Sequence, residues 1–177
     1  MHPHIEQVFA RLDRSRAALR AAVEAMPATA RATRPAPGRW SAAEVVEHLS
    51  MVERIFGERI VNALQARVPE LAAETVEHTS LPDPIEARMA DRVNKRNAPD
   101  TARPTGTLAW NDALAIVEQG HARLRSVVSG ADGLALSQVT LDHAFFGTLT
   151  VYQWIELMAA HEARHTEQIM EIAVALA

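Results

Sequence analysis

Four long stretches of this chain carry apolar residues at intervals of three, four and seven positions, and this spacing constrains the fold more than any other feature. Residues at that spacing share one face of an α-helix. Aromatic residues make up only 5% of the chain and glycines number 7, while Ala, Leu and Val supply most of the apolar positions. Ala and Leu favour helix, whereas strands favour β-branched and aromatic residues. The pattern therefore predicts an all-α protein.

The first two helices are predicted over residues 3–26 and 41–67. The second opens with a capping-box pattern, in which the Ser41 side chain accepts a hydrogen bond from a first-turn amide and Glu44 reaches back to the cap amide. Pro69 ends this helix, because proline lacks the amide hydrogen that a helix interior requires. Both helices should turn one apolar face toward a common core.

A long connector separates the second helix from the third. Residues 67–106 contain five scattered prolines, with a short helix expected across 85–93. A connector of that length can run along a ~30 Å helix, so the helices on either side need not be antiparallel neighbours. The third helix is predicted over 108–128 and a loop over 131–149. The last helix starts at Thr150, with a second capping-box spacing, and continues nearly to the C-terminus. The sequence thus predicts a four-helix bundle.

The composition excludes several classes of functional site and of binding partner. The absence of cysteine excludes disulfides, thiolate metal sites and a cysteine nucleophile, so chemistry must come from histidines, carboxylates, hydroxyls or a borrowed thiol. A net charge of −4 disfavours nucleic-acid binding. No apolar run approaches the ~20 residues that span a bilayer, and the start lacks a signal-peptide pattern. We expect a single domain over residues 1–177, cytoplasmic, without a membrane or nucleic-acid partner.

Two histidines interrupt the apolar stripe of the last helix. His161 and His165 lie one turn apart, and each would cost ~1–3 kcal/mol if buried without a partner. A single divalent ion would engage both rings, and His48 on the inward face of the second helix is the natural third ligand. Three neutral imidazoles and one exchangeable position are typical of catalytic zinc sites. The alternative is that each ring is a core histidine bonded to a protein neighbour.

The segment His161-Glu162-Ala163-Arg164-His165 also satisfies the H-E-x-x-H pattern of zinc peptidases. The extended version of that pattern fails, because Gln168 replaces its glycine and Glu171 replaces its last histidine. We therefore do not expect a peptidase. Glu162 remains a candidate catalytic residue, as a general base, with a hydrogen bond to a ligand imidazole or a charge at the rim as alternatives.

The sequence also gives expectations for the remaining histidines and for several cations. His143, in the loop before the last helix, is a second candidate catalytic residue that could face the open metal position, or a solvated loop histidine. Arg164 is expected to point away from the ligands, His121 to be a core or boundary histidine, and His78 to be exposed. A solvated group of cations that could meet an anionic cosubstrate comprises Arg92, Lys95 and Arg96.

Together these motifs resemble the DinB/YfiT-like superfamily of metalloenzymes, over nearly the whole chain and in the same order. The resemblance is carried by Trp40-Ser41-x-x-Glu44-x-x-x-His48-Leu49, Arg103-Pro104-Thr105-Gly106, Phe146-Gly147-Thr148-Leu149-Thr150 and His161-Glu162-x-Arg164-His165-x-x-Gln168-Ile169. It implies a four-helix bundle with up-down-down-up topology, which suits the long connector between helices two and three. It also implies a zinc or nickel ion held by His48, His161 and His165.

The resemblance implies more than one activity. Some relatives transfer low-molecular-weight thiols (bacillithiol, mycothiol, glutathione) to electrophiles or isomerise a thiol adduct, and others are regarded as hydrolases. A divalent ion on neutral ligands lowers the pKa of bound water toward ~7 and by the same argument favours a thiolate. The preferred expectation is metal-dependent thiol transfer to a small electrophile, with hydrolysis second. A non-catalytic, stress-associated bundle with a structural metal is the third alternative, and a homodimer is expected for either class.

Overall fold

The computed structural model describes residues 1–76, 80–94 and 97–177. His78, Lys95 and Arg96, which carry predictions made above, lie outside these residues. Five α-helices and one β-hairpin are described. Their bounds are Pro3–Glu24 (α1), Ala42–Arg67 (α2), Asp83–Ala90 (α3), Trp110–Gly130 (α4), Thr140–His143 (β1), Gly147–Thr150 (β2) and Val151–Ala175 (α5). The four long helices match the predicted ones to within a few residues at each end.

Both predicted capping boxes are confirmed. The Glu44 amide donates to Ser41 Oγ at 3.2 Å, and the Ser41 amide donates to the Glu44 carboxylate at 2.8 Å. At the start of α5 the Gln153 amide donates to Thr150 Oγ1 at 3.2 Å, and the Thr150 amide donates to the Gln153 side chain at 3.0 Å. Each box satisfies amides that the first turn of a helix leaves without partners. The starts of the two helices that carry the histidines are therefore fixed by local sequence.

The four long helices form an up-down-down-up bundle. Side-chain pairs along α1 and α5 advance together, from His4 with Tyr152 to Arg16 with Glu162, so these helices are parallel. Along α2 and α5 the order is reversed, because Phe56 packs on Trp154 whereas His48 packs on His165. Helix α4 also runs against α1, since Arg125 pairs with Asp13 and Glu118 pairs with Arg20. The long connector therefore joins two parallel helices, as the resemblance implied.

A polar layer divides the core of the bundle into two apolar clusters. One cluster holds the first half of α1, the end of α2, the end of α4 and the start of α5. The other holds the opposite ends of the same four helices, from Leu19 on α1 to Ile172 on α5. Between them, buried or partly buried polar side chains interrupt the apolar stripe of each helix: Arg16, Glu53, His121, Glu162 and the histidines on α2 and α5. This layer is where functional residues can be sought.

The expectation of a loop over 131–149 is wrong for the residues that form the hairpin. Strands β1 and β2 pair antiparallel, with Leu141 opposite Leu149 and His143 opposite Gly147. Gly147 has a φ of 73°, a left-handed conformation that glycine adopts without strain, and it lets the chain turn back. Leu149 is buried, and Trp154 Nε1 donates to the Leu141 carbonyl at 3.1 Å. The apolar pattern is too short to reveal two four-residue strands in the sequence.

The short connector helix is observed at Asp83–Ala90, so it begins two residues and ends three residues earlier than the predicted range of 85–93. Helix α3 starts at Asp83 because Pro84 suits the first turn of a helix, where its missing amide hydrogen costs nothing. Ile85 and Met89 are buried and hold α3 against α5. None of the helices in the described part of the chain combines the length and apolarity that a bilayer crossing requires.

Candidate metal centre

The structure brings His48, His161 and His165 together. The ring centroids lie 5.4 Å apart for His48 and His161, 4.9 Å for His48 and His165, and 4.5 Å for His161 and His165. One nitrogen from each ring lies within 4.8 Å of the others, and the Nε2 atoms of His161 and His165 are 3.1 Å apart. The pair comes from successive turns of α5, and His48 comes from the facing side of α2.

Hydrogen bonds to the outer nitrogens set which nitrogen of each ring is free. His48 Nδ1 donates to the Ala102 carbonyl at 2.6 Å, and His165 Nδ1 donates to the Gln168 side-chain oxygen at 2.9 Å. A neutral imidazole that donates from Nδ1 has its lone pair on Nε2. The Nε2 atoms of these two histidines can therefore both act as ligands. Histidine ligands of metal ions are oriented by bonds of this kind.

The donor set fits a divalent ion of the zinc type. Zn–N bonds of ~2.0–2.1 Å in tetrahedral geometry separate two ligand nitrogens by about 3.3 Å, close to the 3.1 Å between His161 and His165. Burial lowers the pKa of His48 and of His165, and burial with the nearby histidines lowers that of His161 to about 3. All three rings are neutral at pH 7, as metal ligands must be. Three protein ligands leave one coordination position for a small molecule.

A cleft of about 790 Å³ opens onto the three histidines. Its walls include aromatic and aliphatic side chains from α2, the hairpin and α5, among them Phe56, Phe146 and Leu157. Trp40 lies against the His48 ring with centroids 5.1 Å apart. A cleft of this size and mixed lining is typical of small-molecule sites. The three histidines thus line an open cleft rather than a closed part of the core.

His143, a candidate from the sequence, lines the same cleft. Its ring stacks on Phe146 with centroids 4.7 Å apart, and burial and the charge of Arg59 lower its pKa. The Phe145 amide donates to His143 Nδ1 at 3.1 Å, so in the neutral ring Nε2 carries the proton. His143 is therefore placed on the cleft as a hydrogen-bond donor.

Glu162 lies elsewhere, within a second buried cluster that spans four helices. Its carboxylate is fully buried and accepts a hydrogen bond from Arg16 Nη2, which also donates to Glu53 at 2.9 Å and lies 2.9 Å from His121 Nε2. Glu162 does not line the cleft and does not lie at the rim of the bundle. Burial, together with the neighbouring Glu53 carboxylate, raises the pKa of Glu162 well above its usual value. The sequence placed this residue nearer to the histidines than the structure does.

This second cluster also has the residue types of a metal site, since ligand atoms of Glu53, His121 and Glu162 lie within 4.8 Å of one another. A cation already stands among them, however, because the Arg16 guanidinium contacts all three side chains. Among the described residues, the three histidines on the cleft are therefore the better candidate for an ion. Arg16 and Glu53 had a signal in the sequence: each stands at a position where the apolar stripe of its helix would otherwise continue.

The connector is fixed to α2 beside His48 by a buried carboxylate that the sequence analysis did not single out. Glu47 accepts hydrogen bonds from the Thr105 amide at 3.0 Å, the Thr105 hydroxyl at 2.6 Å and the Gly106 amide at 2.8 Å. These bonds hold the segment that follows Ala102, whose carbonyl accepts from His48. The Thr105-Gly106 motif noted in the sequence therefore acts on the position of a candidate ligand.

Arg164, expected to point away from the ligands, lines the cleft with them. Its Nη1 donates to the Met89 carbonyl at 3.0 Å and to the Asp91 carbonyl, at the C-terminal end of α3. Burial and the charges of Arg92 and Arg88 lower its pKa. The helical phase of α5 was a poor guide here, because α3 packs on α5 and draws the long side chain toward the cleft.

Comparisons with known proteins agree with this architecture. A family model described as the DinB superfamily matches residues 11–169. The uncharacterized protein YuaE of Bacillus subtilis (strain 168) is 29% identical over 144 residues, which cover 78% of this chain and 80% of YuaE. A solved crystal structure, of the four-helix bundle protein TT2238, is similar with a TM-score of 0.62 and 21% identity, and covers 94% of this chain and 98% of that one. The structural likeness shows the fold.

Proposed function

This chain belongs to the DinB superfamily, and on that premise we propose that it is a metal-dependent enzyme that transfers a low-molecular-weight thiol to a small electrophile. One observation carries the proposal: three neutral imidazoles from two facing helices converge beside a cleft of about 790 Å³. We propose His48, His161 and His165 as the ligands and zinc or nickel as the ion. A divalent ion held there would favour the deprotonated form of a bound thiol.

The chain supplies binding and orientation rather than a nucleophile, because it contains no cysteine. The sulfur of an exogenous thiol forms the new bond to the electrophilic carbon, the thiol proton passes to solvent, and the leaving group departs with its electron pair. His143, with its proton on Nε2, donates a hydrogen bond to an electrophile oxygen or to the leaving group. The aromatic wall formed by Phe56 and Phe146 excludes water from the reacting carbon.

Thiol transfer is favoured over hydrolysis by the lining of the cleft. No Asp or Glu side chain lines it in the described part of the chain. Glu162, the candidate general base for hydrolysis, lies in the ion network around Arg16 instead. A small-molecule substrate, a homodimer and a cytoplasmic location remain predictions from the sequence.

Metal analysis of protein purified without a polyhistidine tag is the first experiment. We expect near-stoichiometric zinc or nickel in the wild type and its loss in His161→Ala. The matched control is His4→Ala, which removes a histidine that is bonded to the Val76 carbonyl and does not line the cleft. Retention of the ion by His161→Ala, or its equal loss from the control, would overturn the assignment of the ligands.

Activity is measured on the metal-loaded protein. A panel of thiols is combined with a chromogenic electrophile, and esters and amides are assayed without any thiol. We expect turnover that needs both the thiol and the ion. Turnover of esters or amides without a thiol would instead identify a hydrolase, and a metal-loaded protein inactive in both assays would support a non-catalytic role.

A further inference from the structure

The charge on the cleft is strongly one-sided. Seven arginines line it, and in the described part of the chain no carboxylate does, although the whole protein carries a net charge of −4. These arginines are Arg34, Arg39, Arg59, Arg88, Arg92, Arg103 and Arg164. Positive charge concentrated in a cleft of an acidic protein attracts anionic ligands, because the low-dielectric walls focus the field.

Four of the seven are already paired with carboxylates outside the lining. The pairs are Arg34 with Glu44, Arg88 with Asp91, Arg92 with Glu171 and Arg103 with Asp100. The other three, Arg39, Arg59 and Arg164, form no salt bridge with any described residue. Of these, Arg59 lies over the Trp154 ring at 4.9 Å and donates to a backbone carbonyl.

Arg164 is held in a geometry that leaves donors available. Both of its hydrogen bonds, to the Met89 and Asp91 carbonyls, use Nη1. Its Nε and Nη2 have no acceptor among the described residues, and these two groups form the edge of a guanidinium that binds carboxylate or phosphate oxygens in pairs. Arg88, in the last turn of α3, and Arg92, just beyond the end of that helix, add positive charge beside it.

The apolar part of the cleft lies nearer the start of α5 than Arg164 does. Leu157 is seven residues before Arg164 on α5, which corresponds to about 10 Å along the helix axis, and both line the cleft. His161 lies between them. A ligand that reaches from the aromatic wall of Phe56 and Phe146 to Arg164 would therefore extend past the level of His161 on α5. Its body would be apolar and its far end anionic.

We propose that the cleft takes a small organic anion with an apolar body, whose carboxylate or phosphate group is bound by the Nε–Nη2 edge of Arg164. This inference rests on the function proposed above, since the anion is the substrate or cosubstrate of the same centre. Arg164 is a binding residue that sets the position of the substrate's reacting carbon relative to the three histidines.

Binding of three probes of similar shape to the full-length chain tests the proposal. The probes are 3-phenylpropanoate, 3-phenylpropyl phosphate and the neutral 3-phenylpropan-1-ol, and their affinities are measured by calorimetry with and without a chelator. We expect at least one anion to bind about tenfold more tightly than the alcohol, as a charge-assisted bidentate contact implies. The two anionic arms show whether carboxylate or phosphate is preferred.

Substitutions of Arg164 test whether this residue is responsible for the tighter binding of the anionic probes. Arg164→Gln should bind both anions no more tightly than the alcohol, whereas Arg164→Lys should retain part of the preference. The matched control is Arg54→Gln, an exposed arginine on α2 that pairs with Glu58 and does not line the cleft. Far-ultraviolet circular dichroism and the affinity for the alcohol report whether each variant remains folded with an intact apolar wall.

Three results would overturn the inference: equal affinities for anion and alcohol, no binding of any probe, or an unchanged preference in Arg164→Gln. A preference that disappears when the chelator is added would also overturn it, because the anion would then be bound by the ion. The chelated sample keeps this test separate from the metal assignment. A wild type that contains no ion but prefers the anions would refute the proposed function alone.

Discussion

Replacing Arg16 with methionine should destabilise the protein by an amount that depends on pH. The Arg16 side chain is 10% exposed and pairs with Glu53 and Glu162, which are 3% and 0% exposed. Burial raises the pKa of Glu53, and the charge of Arg16 limits that rise. In Arg16→Met the Glu53 carboxylate loses its counter-charge and takes up a proton. Removing one partner of a buried pair generally costs about 3–5 kcal/mol.

Proton uptake sets the size of this loss. Protonating a glutamate with an ordinary pKa near 4.3 costs about 3.7 kcal/mol at pH 7 and about 1 kcal/mol at pH 5, at 1.36 kcal/mol per unit. Because the pKa of Glu53 is already raised in the wild type, this cost is an upper limit, and we expect Arg16→Met to lose up to about 4 kcal/mol of unfolding free energy at pH 7, or up to about 10 °C in Tm. The difference from the wild type should shrink to about 1 kcal/mol at pH 5.

Urea denaturation followed by circular dichroism at the two pH values measures this difference. Arg14→Met is the matched control, because Arg14 is exposed on the same helix, and its effect should stay within about 0.5 kcal/mol. The double variant Arg16→Met with Glu53→Gln should recover part of the loss at pH 7. The reasoning is refuted if Arg16→Met loses less than about 1 kcal/mol at pH 7 or if its loss is the same at both pH values.

Three further predictions concern one residue of the polar layer and two residues at the start of α2. Burial and the charge of Arg16 lower the pKa of His121 from 6.5 to about 4. The folded chain therefore binds fewer protons than the unfolded chain, and the free energy of unfolding falls as the pH drops below 6.5. His121→Gln should remove about 2 kcal/mol of that fall by pH 5, measured as the difference in urea-derived free energies between the two proteins. Glu47→Gln should weaken metal binding about 10–100-fold in competition with a chelator while Tm changes little, because the amide nitrogen that replaces one carboxylate oxygen cannot accept a hydrogen bond from the connector that orients His48. Unchanged affinity would contradict that role. Ser41→Ala should cost about 1 kcal/mol through loss of the cap, and a neutral effect in denaturant titration would show that Glu44 and Arg34 hold the helix start alone.

The sequence predicts the long helices well because their signals are local. The caps at Ser41 and Thr150 lie next to the helices that they begin. The apolar repeat lies within each helix itself, so both signals are visible in the local sequence. The hairpin was missed because two strands of four residues carry too few positions to reveal a period of two. Its stability depends instead on Trp154, which belongs to another element.

The candidate site was predictable where it depends on helix geometry alone. His161 and His165 are adjacent in any α-helix, and His48 follows from the inward face of its helix. The position of Glu162 depends on which helix packs against each face of α5. The local sequence does not contain that information. The same holds for Arg164, whose direction is set by the carbonyls at the end of α3.

The bond between His48 and Ala102 joins positions 54 residues apart in the chain. His161 and His165 come within reach of each other as soon as α5 forms, on the microsecond timescale of helix growth. His48 acquires its final orientation only after the connector has docked, a step that must first overcome the entropy of closing a long loop. Refolding should therefore bring His161 and His165 together before His48 joins them. An ion present early would then meet two imidazoles before it meets three.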